Sequence, residues 1–315
     1  MNDQIVVIGE ALIDLIQQSD ASYQAKPGGA PANVSIALAR LGVHVSFAGR
    51  MSTDGFGEQL HAWLSAEDID LALVERTPDP TTLAVAVLDD NGKATYSFYV
   101  KGTADWGWTL GAFRHLEESP PAAIVIGSLA TAINPGATVI EHLAGHLHST
   151  QSSTVAIDLN IRPGLGFDRD TERLRVARQI DLAHIVKASD DDLLWLFPER
   201  EPCVTAAVWT TGGRFVIMTR GAEGATLFTP LGESISVSAP VITLVDTVGA
   251  GDSFLGATLY GLQQLGALGR NAGALLEDVS IEDWRELLTL AARVGAITCS
   301  RAGCNPPTLA ELQAP

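Results

Sequence analysis

The chain has 315 residues, which is enough for one large α/β domain or two ordinary ones. Its formal net charge of −17 excludes nucleic acids and anionic membranes as expected partners, because neutralising phosphate requires clustered Lys and Arg. With an acidic start, no run of 18 apolar residues, and three cysteines without C-x-x-C spacing, we expect a cytoplasmic protein without a signal peptide or membrane span.

Short apolar runs alternate with amphipathic stretches along the chain. This alternation predicts an α/β fold in which a mainly parallel sheet is covered by helices on both faces. We expect a single domain over residues 1–315. The predicted strands are Ile5–Gly9, Val45–Gly49, Ile124–Gly127, Val155–Leu159, His184–Lys187 and Phe215–Thr219, and the clearest helices are Ala32–Leu41 and Phe56–Ala66.

A hairpin pattern interrupts this alternation between Thr81 and Val100. Two alternating strands flank Asp90-Asn91-Gly92, a turn in which Asn-Gly favours positive φ. We expect a small β-sheet outside the main layer, acting as a lid or as an oligomer contact. The alternative is an edge extension of the main sheet. If the outer edge of the lid pairs with a second copy, the protein is a homodimer.

The segment "DTVGAGDSF" places a small-residue loop between a strand-like stretch, Ile235–Thr247, and a helical pattern. Unpaired N–H groups and the dipole at a helix start favour a bound anion, and Gly249, Ala250 and Gly251 let a phosphate approach the backbone closely. Asp252 beside this loop can accept the proton of an attacking hydroxyl during phosphoryl transfer. The alternative is that Asp252 only caps the helix.

Two stretches resemble the signatures of the PfkB, or ribokinase-like, family of carbohydrate kinases. "DTVGAGDSFLGA" is similar to the C-terminal signature, and "GGAPANVSIALARLG" is similar to the N-terminal one in the form seen in fructokinases. Ordered matches between and around them include "GEALIDLI", "KGTADW", "DLNIRP", "VKASDDDLLWL", "TRGAEG" and "SRAGC". The resemblance implies a ribokinase-like fold, with ATP and a sugar as the small-molecule partners.

On the sugar side, the resemblance implies that Asp14 accepts two sugar hydroxyls and that the backbone at Gly28 and Gly29 lies against the sugar. Asn33 can donate and accept there. Phe98 of the hairpin is the candidate for covering the sugar face. The alternatives are an exposed turn carboxylate for Asp14, a tight turn with a capped helix for the glycine stretch, and a subunit contact for Phe98.

After a buried strand, Asn160 is expected to bind the substrate, and Arg162 offers a planar fork to the transferring phosphoryl group. Lys187 is expected to place a point charge on the nucleotide, and a structural ion pair is the alternative for either cation. The resemblance implies that three further residues shape the nucleotide site: Thr219, Gly221 and Gly224.

The resemblance also implies two cation sites. Ser189 and Asp192 match the family's element near Mg²⁺, where the shorter Asp reaches the ion directly or through a water. Asp246 and the Val248 carbonyl match its monovalent-cation site, for which we expect K⁺. One departure is Ala292, which stands where the family often has an Asn near the adenine, so purine selectivity stays open.

These features predict an ATP-dependent sugar kinase that phosphorylates D-fructose at C6. Ribose, 2-keto-3-deoxygluconate or a nucleoside as substrate, or an idle sugar-binding regulator, are the alternatives. The chain has no P-loop motif and no G-x-G-x-x-G after its first strand, which argues against P-loop enzymes and dinucleotide-binding dehydrogenases. His142, His146 and His148 show an H-x-x-x-H spacing that could bind a metal on one helix face, but without nearby acids or cysteines a solvated helix surface is favoured.

Overall fold

The computed structural model describes residues 3–88 and 94–314. Within these residues the strands are β1 (Ile5–Ile8), β2 (Leu12–Gln17), β3 (Tyr23–Gly28), β4 (Val45–Ala48), β5 (Arg50–Ser52), β6 (Glu75–Thr77), β7 (Leu83–Leu88), β8 (Ala94–Tyr99), β9 (Ala123–Gly127), β10 (Thr154–Asp158), β11 (Ile185–Ser189), β12 (Phe215–Thr219), β13 (Ala225–Phe228) and β14 (Ser234–Val237). The helices are α1 (Ala30–Arg40), α2 (Gly55–Ser65), α3 (Arg114–Glu118), α4 (Gly136–Ser149), α5 (Arg169–Ile180), α6 (Asp190–Leu196), α7 (Pro202–Val208), α8 (Ala250–Gln264), α9 (Ala272–Glu277), α10 (Ile281–Cys299) and α11 (Leu309–Gln313).

The main sheet has the strand order β14-β13-β12-β11-β10-β9-β1-β4 among the described residues. Six of these strands run parallel: β4, β1, β9, β10, β11 and β12. Strands β13 and β14 add an antiparallel edge. Every parallel strand therefore ends at the same edge of the sheet. The mainly parallel α/β architecture predicted from the sequence is confirmed.

Both faces of the main sheet are covered. Along β1, Ile5 and Val7 belong to one hydrophobic core while Val6 and Ile8 belong to the other, as side-chain alternation in a strand requires. The first core contains residues of α1, α8 and α10, and the second contains residues of α4, α5 and α7. This double coverage explains why the strands are continuous apolar runs.

Helices α1 and α8 pack closely against each other on one face. A Cβ added to Gly256 of α8 would lie 2.8 Å from the Ala37 Cβ of α1, so the glycine permits this close approach. The two helices begin with the two glycine-rich signature stretches of the sequence. Their packing therefore brings together stretches more than 200 residues apart.

The predicted hairpin belongs to a separate sheet with the order β3-β2-β7-β8. Its strands β7 and β8 pair antiparallel, from Leu83 opposite Tyr99 to Leu88 opposite Ala94. The predicted turn Asp90-Asn91-Gly92 lies outside the described residues. The edge extension of the main sheet is wrong, because β7 pairs with β2 instead. We call this four-stranded sheet the lid.

The strand-like stretch Ile235–Thr247 is a strand only up to Val237. The remainder is an irregular segment in which Val241, Leu244 and Val245 are exposed. Pro240 cannot donate a ladder hydrogen bond, and β-branched residues form strands only where a partner strand or a packed face is present. The expectation of a strand running to the glycine loop is therefore wrong.

Candidate active site

The glycine loop lies at the start of α8, as predicted. We call Gly249, Ala250 and Gly251 the anion loop. Gly249 is the N-cap residue with a left-handed φ of 76°, and a Cβ there would lie 2.3 Å from the Cys304 sulfur. Only glycine fits this position, because of both the φ angle and the contact. Asp252 lies in the first turn of α8 and does not cap it, so the alternative role as a helix cap is wrong.

The carboxylate of Asp252 is buried and faces the N-terminal signature. Asn33 Nδ2 donates a hydrogen bond of 2.8 Å to Asp252 Oδ2. Oδ1 of Asp252 accepts no hydrogen bond from any residue that the structure describes. One oxygen therefore fixes the orientation of the carboxylate while the other stays free to accept a proton.

Burial raises the pKa of Asp252 to about 6, and the negative charge of Asp158 acts in the same direction. The Asn33 hydrogen bond and the charges of Lys187 and Arg162 oppose this shift. A carboxylate with this pKa is ionised at neutral pH and is still a stronger base than an exposed one. These are the properties that a general base requires.

A pocket of about 750 Å³ opens beside the anion loop at the strand ends of the main sheet. The predicted residues that line it are Asn160, Arg162, Lys187, Ser189, Asp192, Thr219, Gly221, Gly224, Ala250, Gly251 and Ala292. Gly224 has a positive φ of 94°, and a Cβ there would lie 2.0 Å from the Val237 carbonyl oxygen. Residues from four separate sequence motifs, together with Ala292, thus line one pocket.

The lid strands carry the predicted sugar-contacting residues Asp14, Gly28 and Phe98. Gly29 and Asn33 lie at the start of α1, and Asn160 lines the pocket. A Cβ on Gly28 would lie 2.3 Å from Asp14 Oδ2, so the glycine leaves space for the carboxylate. Burial raises the pKa of Asp14 to about 6, and the Arg162 charge opposes the shift. Gly29 has a φ of 111° and begins α1. The lid carboxylate and the pocket are therefore coupled electrostatically through Arg162.

Phe98 lies on the lid strand that packs over the segment after Arg162. A Cβ on Gly164 would lie 3.1 Å from the Phe98 ring. Tyr96 stacks on Phe98 with ring centroids 6.1 Å apart, and the charges of Asp14 and Arg162 act on its hydroxyl group. Sequence reasoning missed Tyr96, although its two-residue spacing from Phe98 places both side chains on one face of β8.

Sequence reasoning also missed a carboxylate cluster where the lid joins the main sheet. Asp105 Oδ1 accepts the Ala11 N–H at 3.0 Å, and Asp105 Oδ2 accepts the Thr82 hydroxyl. Glu10 Oε2 accepts the Ala130 N–H at 3.1 Å. Burial raises the pKa of both carboxyl groups to about 7. Through these hydrogen bonds, Asp105 connects the segments at Ala11 and Thr82 at the base of the lid, and Glu10 connects this region to Ala130 beside the main sheet.

Lys187 and Asp192 make contacts that the sequence did not reveal. Lys187 Nζ lies 2.7 Å from Asp158 Oδ2, so the alternative of an ion pair is present at a residue that also lines the pocket. Asp192 and Ser189 form a capping box at the start of α6. Asp192 Oδ1 also accepts the Ile161 N–H at 2.9 Å, which holds the segment containing Arg162.

The candidate cation ligands are engaged by the backbone. Both Asp192 oxygens accept N–H groups, and Asp246 accepts from Val248 at 3.1 Å and from Gly303 at 2.8 Å. No group of three or more His, Cys, Asp or Glu residues that could hold a metal occurs in residues 3–88 and 94–314. Carboxylate oxygens are a ligand type that Mg²⁺ binds, so Asp192 and Asp246 have the chemistry of cation ligands while their oxygens also hold the backbone.

The histidines of α4 are accounted for by other contacts. His142 Nε2 lies 3.7 Å from Glu117, and the His148 ring packs 4.6 Å from that of His184.

The described residues also contain no helix that is both long enough and apolar enough to cross a membrane.

Comparison with known proteins finds a family match over almost the whole chain. The family described as "pfkB family carbohydrate kinase" matches residues 2–311. A fructokinase of Rhizobium leguminosarum bv. trifolii is 33% identical over 284 residues, which cover 89% of this chain and 86% of that protein.

Two solved structures are similar over their whole lengths. A fructokinase from Xylella fastidiosa with bound ATP is 28% identical with a TM-score of 0.89, covering 99% of this chain and 97% of that one. A Vibrio cholerae O395 fructokinase in a form that binds fructose, ADP and a calcium ion is 26% identical with a TM-score of 0.80, covering 96% and 94%. A double mutant of the latter has been solved with fructose, ADP and a potassium ion.

Proposed function

Since the chain belongs to the pfkB family of carbohydrate kinases, we propose that it transfers the γ-phosphate of ATP to the primary hydroxyl of D-fructose at C6, giving fructose 6-phosphate. The observation that carries this proposal is the buried Asp252 directly after the anion loop, whose Oδ2 accepts a hydrogen bond from Asn33. Fructose as the acceptor is supported by the Rhizobium, Xylella and Vibrio relatives.

The residues supply the steps of an in-line transfer. Asp14 binds sugar hydroxyls and directs the reacting hydroxyl toward Asp252, whose free Oδ1 accepts the proton as the oxygen attacks phosphorus. The N–H groups of the anion loop and the guanidinium of Arg162 stabilise the negative charge that develops on the phosphoryl oxygens. Phe98 covers the sugar and excludes water. Asn160 at the pocket wall completes the sugar contacts.

The nucleotide takes the rest of the pocket. Lys187 and Ser189 contact the phosphates, while Thr219, Gly221 and Gly224 shape the wall near the ribose and base. Mg²⁺ bound to the phosphates would offset the negative charge of Asp246 and Asp252, and Asp192 would hold the ion directly or through a water. Asp246 and the Val248 carbonyl would hold K⁺, which would keep the anion loop in shape, and the relative solved with a potassium ion supports this assignment.

We propose that the chain is a single kinase domain and that it forms a homodimer through the lid. Its outer strands β3 and β8 present Tyr23 and Tyr99 with exposed fractions of 47% and 60%. Exposed strand edges with aromatic side chains favour pairing with a second copy. We place the enzyme in the cytoplasm, where its three unpaired cysteines stay reduced.

A coupled ADP-release assay tests the proposed reaction. The substrate panel is fructose, ribose, 2-keto-3-deoxygluconate, glucose and adenosine, and we expect fructose to give the highest kcat/KM. Asp252→Asn should retain ATP and sugar binding while kcat falls by roughly two to four orders of magnitude, the usual range for loss of a general base. Near-normal turnover of this variant would remove Asp252 from the mechanism. A clear preference for another acceptor would replace fructose.

A further inference from the structure

A buried ion pair lies beside the anion loop. Asp158 ends β10, and Lys187 lies opposite it in the parallel register of β11. Lys187 Nζ is 2.7 Å from Asp158 Oδ2, and the two side chains are only 5% and 7% exposed. Burying a pair of charges brings little net stability, because desolvation consumes most of the Coulomb energy. The position of this pair therefore calls for a role other than holding the sheet together.

The hydrogen-bonding capacity of the pair is incompletely used. Asp158 Oδ1 has no partner among the described residues. The ammonium of Lys187 carries three protons, and Asp158 is the acceptor for one of them. A Cβ built on Gly251 would lie 3.1 Å from Lys187 Nζ, so the ammonium lies against the anion loop. Lys187 is thus placed between a fixed carboxylate and the site where a phosphate would bind.

We propose that Asp158 is a positioning residue for phosphoryl transfer, which binds one proton of the Lys187 ammonium and so directs the remaining N–H groups toward the phosphate at the anion loop. The proposal rests on the proposed kinase function. It assigns to Asp158 the task of fixing a cation before the reaction, so that no reorganisation is needed when charge develops on the phosphoryl oxygens.

The charge balance of the pair predicts which kinetic constant changes when Asp158 is lost. Asp158 and Lys187 are together neutral, so they attract a nucleotide only weakly from solution. Removing the Asp158 charge also removes a repulsion on the phosphates, which offsets poorer placement of Lys187 in the ground state. Precise placement matters most in the transition state, where a shift of about 1 Å can cost about 100-fold in rate. Loss of Asp158 should therefore lower kcat without weakening ATP binding.

The test is a double-mutant cycle with Asp158→Asn, Lys187→Met and the double variant. Asp278→Asn is the charge-matched control, because it removes an exposed carboxylate at the end of α9, outside the pocket. For each protein, kcat and the ATP KM are measured with the best sugar of the panel, and β,γ-methylene-ATP binding is measured by calorimetry. Thermal melting shows whether each variant is folded.

We expect Asp158→Asn to lower kcat by about 10- to 100-fold while the ATP KM and the analogue Kd stay within about threefold of wild type. Lys187→Met should lower kcat at least as much and weaken analogue binding about tenfold. The double variant should lose no more kcat than Lys187→Met alone, because Asp158 acts through the lysine. The control should behave as wild type.

Three results would overturn the inference: wild-type kcat in folded Asp158→Asn, losses that multiply in the double variant, or normal turnover of Lys187→Met. If Asp158→Asn does not fold, Lys187→Met still tests the inference. Normal activity of Lys187→Met would show that the lysine is not needed, so Asp158 would have no cation to position. A wild-type protein that binds the analogue but phosphorylates no sugar refutes the kinase proposal instead. In that case, wild-type analogue affinity in Lys187→Met overturns the positioning role.

Discussion

Acidification should lower the turnover number with an apparent pKa near 6. The base must be ionised to accept a proton, and burial raises the pKa of Asp252 from the ordinary 3.8 to about 6. With that pKa, about 90% of the carboxylate is ionised at pH 7 and about 10% at pH 5, so kcat should fall about tenfold between them. A base with the ordinary pKa would lose only about 6% over the same range.

A second carboxyl group with a similar pKa must be separated from this effect. Burial also raises the pKa of Asp14 to about 6, and its protonation removes acceptors for the sugar hydroxyls. The loss from Asp14 should appear as a higher sugar KM, whereas the loss from Asp252 should appear in kcat at saturating sugar. Both constants are measured from pH 4.5 to 8 at constant ionic strength.

Two results would refute this reasoning. A kcat that stays constant down to pH 5 would mean that burial does not raise the pKa of Asp252 in the complex with both substrates. A residual activity of Asp252→Asn that keeps the same acid dependence would assign the titration to another group. The expected control result is a flat residual rate in this variant, because an amide does not titrate.

Four further outcomes follow from the structure. Gly28→Ala places a Cβ 2.3 Å from Asp14 Oδ2 and should raise the sugar KM at least about tenfold, whereas Gly55→Ala, with no heavy atom within 4 Å, should not; equal KM values would disprove the steric role. Burial lowers the pKa of His184 from 6.5 to about 4, so the unfolded chain binds more protons between these values and the free energy of unfolding should lose up to about 3 kcal/mol as the pH falls through that window. Urea titrations should show this loss in wild type relative to His184→Gln, and an unchanged difference between the two proteins at pH 4.5 and 7 would contradict it. Removing Mg²⁺ should abolish activity. Replacing K⁺ by Na⁺ or tetramethylammonium should lower the activity of the wild type but not that of Asp246→Ala. Wild-type rates that do not depend on the monovalent ion would mean that Asp246 is only a turn residue. Light scattering at micromolar concentration should give a dimer, and a monomer would remove pairing through the lid.

Local sequence patterns were sufficient for much of the fold. The apolar runs at β1, β4, β9, β10, β11 and β12 identified the parallel strands to within one or two residues. The reason is that a strand buried on both faces is predominantly apolar. The Gly-rich stretch before α8 likewise identified the anion loop. By contrast, the pairing of β2 and β3 into the lid was missed, since strand partners are chosen by packing and not by local pattern.

The structure brings most of the predicted site residues together, but the sequence did not reveal all of their contacts. Asn33 was assigned to the sugar, yet its amide is bonded to Asp252. Asp192 was assigned to the metal, yet its two oxygens hold the backbone of Ser189 and Ile161. The contacts of Asn33 with Asp252 and of Asp192 with Ile161 depend on which distant elements meet, and a single sequence records only the residue types. The metal, sugar and nucleotide roles therefore stay predictions for the experiments above.

The hydrogen bond between Asn33 and Asp252 has a consequence for synthesis on the ribosome. Its two residues are 219 positions apart, and at about 5–20 residues per second the second one follows the first by roughly 10–45 s. During that time the face of α1 that Ala37 presents to α8 lacks the partner that covers it in the folded protein. A translation product that stops before α8 also lacks Asp252, the proposed base.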